Sequence, residues 1–290
     1  MAFLKYAVLG FPVRHSVSPP MQSAAFAALR IPASYQAIEV APAELPALFR
    51  KLREEGYSGW NLTVPHKEQA LTLVDEADDE ARLAGSVNTV VVRDGRTYGY
   101  STDGSGMLAA LEEVFHFAAP GRSIVILGCG GAGRAVGFAF ARQGARELVL
   151  VNRTAARAAA LATGLSATGA ACAISCLFPD EKDKLAAALA RAHLLIQATS
   201  LGLKPADPLP LDPSLLPSGL PVMDMIYRTT PFLAAAARHG CRTADGRWML
   251  LHQGARSFTL WTGQVAPLAA MRRALLAALD ARQAPPDNPG

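Results

Sequence analysis

The sequence predicts an α/β protein of two domains, the second built on a doubly wound parallel sheet, and three observations carry that expectation. Strand-like and helix-like stretches alternate from residue 5 onward, the pattern of a parallel α/β layer. A glycine turn, Gly128-Cys129-Gly130-Gly131-Ala132-Gly133, stands between a five-residue apolar-rich run and a helical pattern. Two long apolar-periodic segments close the chain and need an apolar surface, which the first domain would supply. With 290 residues, 51% of them hydrophobic and 18% charged, the chain has material for two modest cores.

Taken in order, residues 5–9 read as a strand, 21–29 as a helix, 34–40 as a strand, and 42–55 as a helix with apolar residues at 45, 48, 49 and 52. A short strand is expected over 59–64 and helices over 68–74 and 79–83. Strands 89–93 and 97–100 flank Asp94-Gly95, a hairpin signal. A crossover helix over 105–117 leads to the Pro120-Gly121 turn and into the second domain. There, strands are expected at 123–127, 147–151, 171–175, 194–198 and 221–225, with helices at 134–143, 155–161 and 181–191. The closing helices fall at 249–262 and 267–282. The expected boundaries are 1–104 for the first domain, completed by 250–283, and 105–249 for the second, with a Pro-rich flexible tail over 284–290.

The formal charge of +4 comes from 22 arginines and 6 lysines spread along the chain, without the runs that mark nucleic-acid or membrane patches. A mild positive excess suits small anionic molecules. No apolar run reaches the length of a membrane span, and the first residues lack the order of a signal peptide, so a cytoplasmic protein is expected. The four cysteines, at 129, 172, 176 and 241, show neither knuckle spacing nor disulfide density. Reduced thiols and no metal site are expected. Cys129 fills space within the glycine turn, although a helix terminus beside it could lower its pKa.

Strand, glycine turn and helix together make a Rossmann unit. Gly128 permits the tight turn, Gly130 lets the amides around Gly131 and Ala132 approach a pyrophosphate, and Gly133 allows close packing of helix on strand. The end of the next strand then selects the dinucleotide. Where an acidic residue would hold the ribose 2′-hydroxyl of NAD, this chain has Asn152-Arg153-Thr154. Arg153 can pair with a 2′-phosphate and stack on adenine while its neighbours add hydrogen bonds, so NADP is the expected cofactor.

Four polar clusters occupy strand exits of the first domain. Ser16-Val-Ser18-Pro19 offers two hydroxyls suited to a carboxylate, or else caps the following helix. Asn61-Leu-Thr63-Val-Pro65-His66-Lys67 ends in a lysine. In a chain so weighted towards arginine, a lysine at a strand exit suggests proton transfer, since only lysine gives up its proton at a workable pH. His66 is its rival as acid or base. Asn88 and Asp103 supply an amide and a carboxylate; Asp103 either pairs with Lys67 and holds a substrate hydroxyl or serves a turn or helix cap, and Asn88 can equally be an Asx-turn residue.

These clusters, followed by Thr199-Ser200, Asp224-Met225-Ile226-Tyr227 and the stretch from Gly246 through Met249 to Gln253, resemble the shikimate dehydrogenase family over about residues 5–275. The resemblance implies an NADP-dependent enzyme that interconverts 3-dehydroshikimate and shikimate in aromatic amino acid biosynthesis. It implies Lys67 and Asp103 as the catalytic pair, Ser16 and Ser18 with Tyr227 on the carboxylate, and Thr63, Asn88, Asp103 and Gln253 around the ring. Thr199, Met225 and Gly246 would border the nicotinamide. Cys129, Gln197 and Leu203 depart from the commonest pattern. Quinate or aminoshikimate dehydrogenases on the same scaffold, or a non-catalytic sensor of NADP or shikimate, are the alternatives, and a monomer or homodimer without nucleic-acid or membrane partners is expected.

Overall fold

The computed structural model describes residues 3–204 and 206–283. The chain divides into two compact units. One holds the residues up to Arg82, Ser86–Thr102 and the chain from Gln253 onward; the other holds Leu83–Gly85 and Asp103–His252. The transitions at 102/103 and 252/253 lie two or three residues from the boundaries expected at 104/105 and 249/250.

The first unit opens with β1 (Leu4–Gly10), α1 (Ser18–Ala28), β2 (Ala33–Glu39), α2 (Leu45–Glu54), β3 (Gly59–Leu62), α3 (Lys67–Ala70), β4 (Glu76–Ala77), α4 (Asp79–Ala84, its last two residues counted with the second unit), β5 (Thr89–Arg93) and β6 (Arg96–Tyr100). Its six-stranded sheet runs β2-β1-β3-β5-β6-β4. The pairings β1 with β2, β1 with β3 and β4 with β6 are parallel, whereas β5 is antiparallel to both β3 and β6. The sheet is therefore mixed: the parallel layer expected from alternation covers β2, β1 and β3, and the hairpin expected over β5 and β6 enters it antiparallel to β3. The cause is the hairpin at Asp94-Gly95, whose φ values of 50° and 72° are those a two-residue primed turn demands.

One face of this sheet packs against α2, where Leu45, Phe49 and Leu52 recur at helical spacing and are buried with Leu9, Leu62 and Trp60. Phe49 meets Trp60 edge-on at 5.0 Å between ring centroids. The expected helix over 68–74 shortens to α3, after which the chain turns into the two-residue β4.

The second unit contains α5 (Asp103–Phe115), β7 (Ser123–Leu127), α6 (Gly131–Arg142), β8 (Glu147–Val151), α7 (Ala155–Ala167), β9 (Ala173–Leu177), α8 (Lys182–Ala190), β10 (Leu194–Gln197), β11 (Pro221–Asp224), α9 (Pro231–Arg238) and β12 (Arg242–Ala244). All six strands are parallel in the order β12-β11-β10-β7-β8-β9. Period-two alternation divides the strands between two cores. Ile124, Ile126, Leu148, Leu150, Leu194, Ile196 and Met223 face one, with Met107 and Phe140; Val125, Leu127, Val149, Val151, Leu195 and Val222 face the other, with Leu185 and Phe232. Both faces are apolar because helices cover both.

Helix α9 and strand β12 lie outside the elements expected from the sequence. The run Pro231-Phe-Leu-Ala-Ala-Ala-Ala-Arg238 carries little polar contrast, yet Thr230 caps it by accepting the Leu233 N–H at 3.1 Å. Helix α10 (Arg247–Thr262) begins in the second unit, and its residues from Gln253 belong to the first, followed there by α11 (Leu268–Gln283). α11 packs on α1. From α10, Phe258 lies 5.1 Å from Phe26 and Trp261 lies 4.8 Å from Tyr6 between ring centroids, so these late residues cover the second face of the first sheet. The tail expected over 284–290 lies outside the described residues. Among the described residues no helix is long and apolar enough to cross a membrane.

Candidate active site

In the second unit the strand order reverses between β7 and β10, which opens a crevice at their carboxyl ends. The glycine turn is built there. Gly128 has φ of +100°, a conformation costly for any residue with a Cβ, and a Cβ on it would approach Thr199 N and Cγ2 to 2.9 Å. A Cβ on Gly133 would lie 2.0 Å from the Gly128 carbonyl oxygen, whereas one on Gly130 would meet nothing within 4 Å. The turn is thus closed at its first and third glycines and open at the second. Gly130 is the N-cap of α6, so the first amides of that helix, from Gly131, Ala132 and Gly133, lie at the positive end of a 12-residue helix.

At the end of β8, the Asn152 side chain accepts the Cys129 N–H at 3.1 Å and donates to the Thr154 carbonyl at 2.8 Å, fastening the glycine turn to the next strand. Arg153 and Thr154 are exposed. Open space at Gly130, a helix N-terminus beneath it and an exposed guanidinium beyond the next strand fit a dinucleotide with a 2′-phosphate. Cys129 is buried, and burial pushes its thiol up to about 12, so the lowering expected from the helix terminus is overridden. It is a packed thiol.

Beyond β10 and β11, Thr199 and Met225 begin loops and Gly246 leads into α10. Met225 N–H donates to the Gln197 carbonyl at 2.9 Å, and Gly246 N–H donates to Ile226 O at 3.0 Å. A Cβ on Gly246 would fall 2.1 Å from the Met225 carbonyl oxygen, so glycine is required by close approach. Asp224 is fully buried; its carboxylate accepts the Ile226 N–H at 3.0 Å and the Thr230 hydroxyl at 2.6 Å. Burial first, with Asp245 adding repulsion, raises its pKa to about 6. Tyr227, three residues on, is exposed.

In the first unit the Asn88 side chain is held on every side. Its amide nitrogen donates to Thr102 Oγ1 at 2.9 Å and to Gln253 Oε1 at 3.3 Å, and its carbonyl oxygen accepts Thr102 N–H at 2.8 Å. Thr89 and Ser257 hydroxyls lie 2.7 Å apart, and Asn61 Nδ2 donates to both of them and to the Asn88 main-chain carbonyl at 3.0 Å. Tyr35 O–H donates to Asn61 Oδ1 at 2.7 Å. A buried amide left unpaired would cost about 1–3 kcal/mol, so this network defines one rotamer for Asn88 within an otherwise apolar interior. It brings Asn88 and Gln253 together. Thr102 stands in the Thr102-Asp103-Gly104 stretch with no role read for it, and Ser257 carries no motif; only the packing of α10 on β5 and β6 shows what each one holds.

Ser16 Oγ accepts the Ser18 N–H at 3.2 Å, and Ser18 begins α1 with its side chain nearly buried. Thr63 follows β3, its methyl 2.5 Å from where a Cβ on Gly10 would stand. Lys67 opens α3, half-buried, and its carbonyl accepts the Val87 N–H at 2.9 Å. The adjacent His66 is fully buried with Nε2 on the Val40 carbonyl at 2.9 Å, and burial lowers its pKa. His66 is therefore a packed, hydrogen-bonded neighbour of Lys67. Asp103, buried, heads α5 in the second unit. Among the described residues no group of three or more His, Cys, Asp or Glu is placed to hold a metal.

A doubly wound sheet with a glycine turn at its switch point, joined in one chain to a unit with a buried amide network, defines a dinucleotide-dependent α/β enzyme. Three family models match the chain: the shikimate dehydrogenase substrate binding domain over residues 8–90, shikimate / quinate 5-dehydrogenase over 111–202, and the shikimate 5′-dehydrogenase C-terminal domain over 246–276. The NADP(+) shikimate dehydrogenase of Moorella thermoacetica is 44% identical over 283 residues, spanning 97% of this chain and 95% of that protein. Among solved structures, shikimate dehydrogenase of Aquifex aeolicus superposes with a TM-score of 0.86 at 34% identity, covering 94% of this chain and 97% of that one. Shikimate 5-dehydrogenase of Thermus thermophilus, in complex with NADP(H) and shikimate, gives 0.83 at 36% identity over 95% and 100%. The chain belongs to the shikimate dehydrogenase family. It is an NADP-dependent oxidoreductase acting on a CH–OH group, interconverting 3-dehydroshikimate and shikimate.

Proposed function

We propose that Lys67 and Asp103 carry the proton chemistry of this reaction. Ser16 and Ser18 hold the substrate carboxylate with Tyr227, and Thr63, Asn88 and Gln253 hold the ring hydroxyls. Gly128–Gly133 would hold the pyrophosphate of NADP, Asn152, Arg153 and Thr154 its 2′-phosphate, and Thr199, Met225 and Gly246 would border its nicotinamide. The bound cofactor would supply the hydride that the ring ketone takes up. Lys67 Nζ, as an ammonium, donates its proton to the ketone oxygen as that oxygen gains charge, and takes it back in the oxidative direction. Asp103 orients the substrate hydroxyl. The surrounding residues fix orientation and exclude water.

The observation that carries this reading is the orientation of Asn88. A solvated surface asparagine would need no such support, whereas one whose amide must keep a fixed orientation beside a polyol does. The test is NADP reduction followed spectrophotometrically with shikimate, quinate and aminoshikimate, each repeated with NAD. Turnover highest with shikimate and NADP supports the reading; turnover highest with quinate or aminoshikimate moves the chain to a sister activity on the same scaffold. Cofactor binding without turnover on any of the three would favour a sensor.

A cytoplasmic monomer or homodimer is the accompanying proposal, with the first domain completed by the closing helices. Light scattering after gel filtration distinguishes the two assemblies.

A further inference from the structure

Strand β10 ends on Gln197, whose side chain is fully buried and turns back over the loop that follows. Its Oε1 accepts the Thr199 N–H at 2.7 Å, and its Nε2 donates to the Leu201 carbonyl at 2.9 Å, with a longer approach to the Thr199 carbonyl at 3.5 Å. Leu201 N–H in turn donates to Thr199 Oγ1 at 3.1 Å. The amide and hydroxyl of Thr199 are thus both engaged inside the loop, and its methyl lies against Gly128. The Gln197 main-chain carbonyl accepts the Met225 N–H at 2.9 Å. One residue therefore sits where the loops after β7, β10 and β11 converge.

We propose that Gln197 is a positioning residue for the cofactor: its amide clamps residues 199–201 against the glycine turn and so sets the wall beside the nicotinamide. This rests on the assignment of Thr199 and Met225 to that wall. The side-chain length matters. An asparagine here could still accept the Thr199 N–H, as in an Asx-turn, but it is one methylene shorter and leaves the Leu201 carbonyl unpaired. Glutamine is long enough to use donor and acceptor on the same loop, where loop backbone would otherwise be held only by water.

Gln197→Glu is the informative variant. It keeps the shape and the acceptor for Thr199 but sets a carboxylate oxygen against the Leu201 carbonyl until it takes up a proton. NADPH affinity, measured by fluorescence titration between pH 5.5 and 8.5 and expressed as variant over wild type, is expected to fall about tenfold or more at high pH and to recover at low pH. Asp245, Arg228 and Asp207 are common to both proteins, whereas Asp224, paired in register with residue 197, would share its proton with the new carboxylate, so the recovery at low pH is read as that of the pair. Gln197→Asn should weaken NADPH by a few-fold with an unchanged KM for shikimate. In the ligand-free protein, Gln197→Ala should speed amide hydrogen exchange at Thr199 at least about tenfold. A folded Gln197→Glu protein with wild-type NADPH affinity at every pH, or a loss that ignores pH, overturns the proposal. Should that variant fail to fold, wild-type NADPH affinity in Gln197→Asn together with unchanged exchange in Gln197→Ala overturns it equally. A wild-type protein that binds no NADPH would overturn the cofactor reading instead, while exchange at Thr199 would still decide the clamp.

Discussion

Gly133 and Gly128 touch: a single Cβ on Gly133 would stand 2.0 Å from the Gly128 carbonyl oxygen, well inside van der Waals contact. Relief needs the start of α6 to move off β7, which displaces the helix amides that face an anion. Gly133→Ala is expected to lower NADPH affinity by about tenfold or more. Isothermal titration calorimetry, with thermal melting as control, checks this; unchanged affinity would remove the turn from the cofactor site.

Lys67→Ala should reduce kcat by about 10²- to 10⁴-fold, the usual contribution of one positioned proton donor, with KM for shikimate changed only a few-fold. Steady-state kinetics in both directions decide it. Equal losses in kcat and affinity would instead mark Lys67 as a binding cation.

Arg153 is exposed and can be removed without opening the core. If it pairs with the 2′-phosphate, Arg153→Ser forfeits a charge-assisted interaction of roughly 1.5–3 kcal/mol, so the ratio of kcat/KM for NADP over NAD should fall about 10- to 100-fold. A constant ratio would transfer cofactor selection to other residues.

The carboxyl of Asp224, ordinarily near 3.8, is raised to about 6 by burial. The folded state holds this proton more tightly than the unfolded state, so the cost of ionising it is absent below about pH 4, grows as pH rises, and is complete above about 6. Two pH units of displacement correspond to roughly 3 kcal/mol. Asp224→Asn removes the charge, so its stability relative to wild type should improve by about that amount between pH 4 and pH 7.5. His66, buried and harder to protonate than a free histidine, destabilises both proteins alike as pH falls and cancels from the comparison. Urea unfolding at the two pH values is the measurement, and a pH-independent difference would refute the assignment.

Ser257 Oγ links Asn61, Thr89 and the Gln253 carbonyl. Ser257→Ala should cost about 1–3 kcal/mol in stability, a melting shift of several degrees for a chain of this size, and lower kcat/KM for shikimate more than affinity for NADPH. Scanning calorimetry and kinetics report the two effects separately.

Most of the second unit's sheet is readable because its signals are local. Alternation in β7 and β8, glycines at fixed offsets and Arg153 where an acid would otherwise stand are all properties of a short window. The hairpin at Asp94-Gly95 is equally local, yet its consequence for the sheet, an antiparallel insertion between parallel strands, depends on which neighbours β5 and β6 choose. Helix α9 hides in alanines without polar contrast, and β4 is two residues long. Ser257 is ordinary in sequence and acquires meaning only when α10 packs on the first sheet, where Thr102, legible only as the neighbour of Asp103, also proves to hold Asn88. Gln197 is visible as a departure from the family pattern, but its grip on residues 199–201 is a matter of side-chain reach that no spacing encodes.

The aromatic contacts of Tyr6 with Trp261 and of Phe26 with Phe258 have a consequence for synthesis of the chain. A ribosome makes β1 and α1 first, then the whole of residues 103–252, and only afterwards the residues that cover the second face of the first sheet. The second unit can close while translation continues, since nearly all its partners lie in one stretch. The first must wait with Tyr6 and Phe26 uncovered, which makes the nascent N-terminal segment the part of this protein most in need of a chaperone.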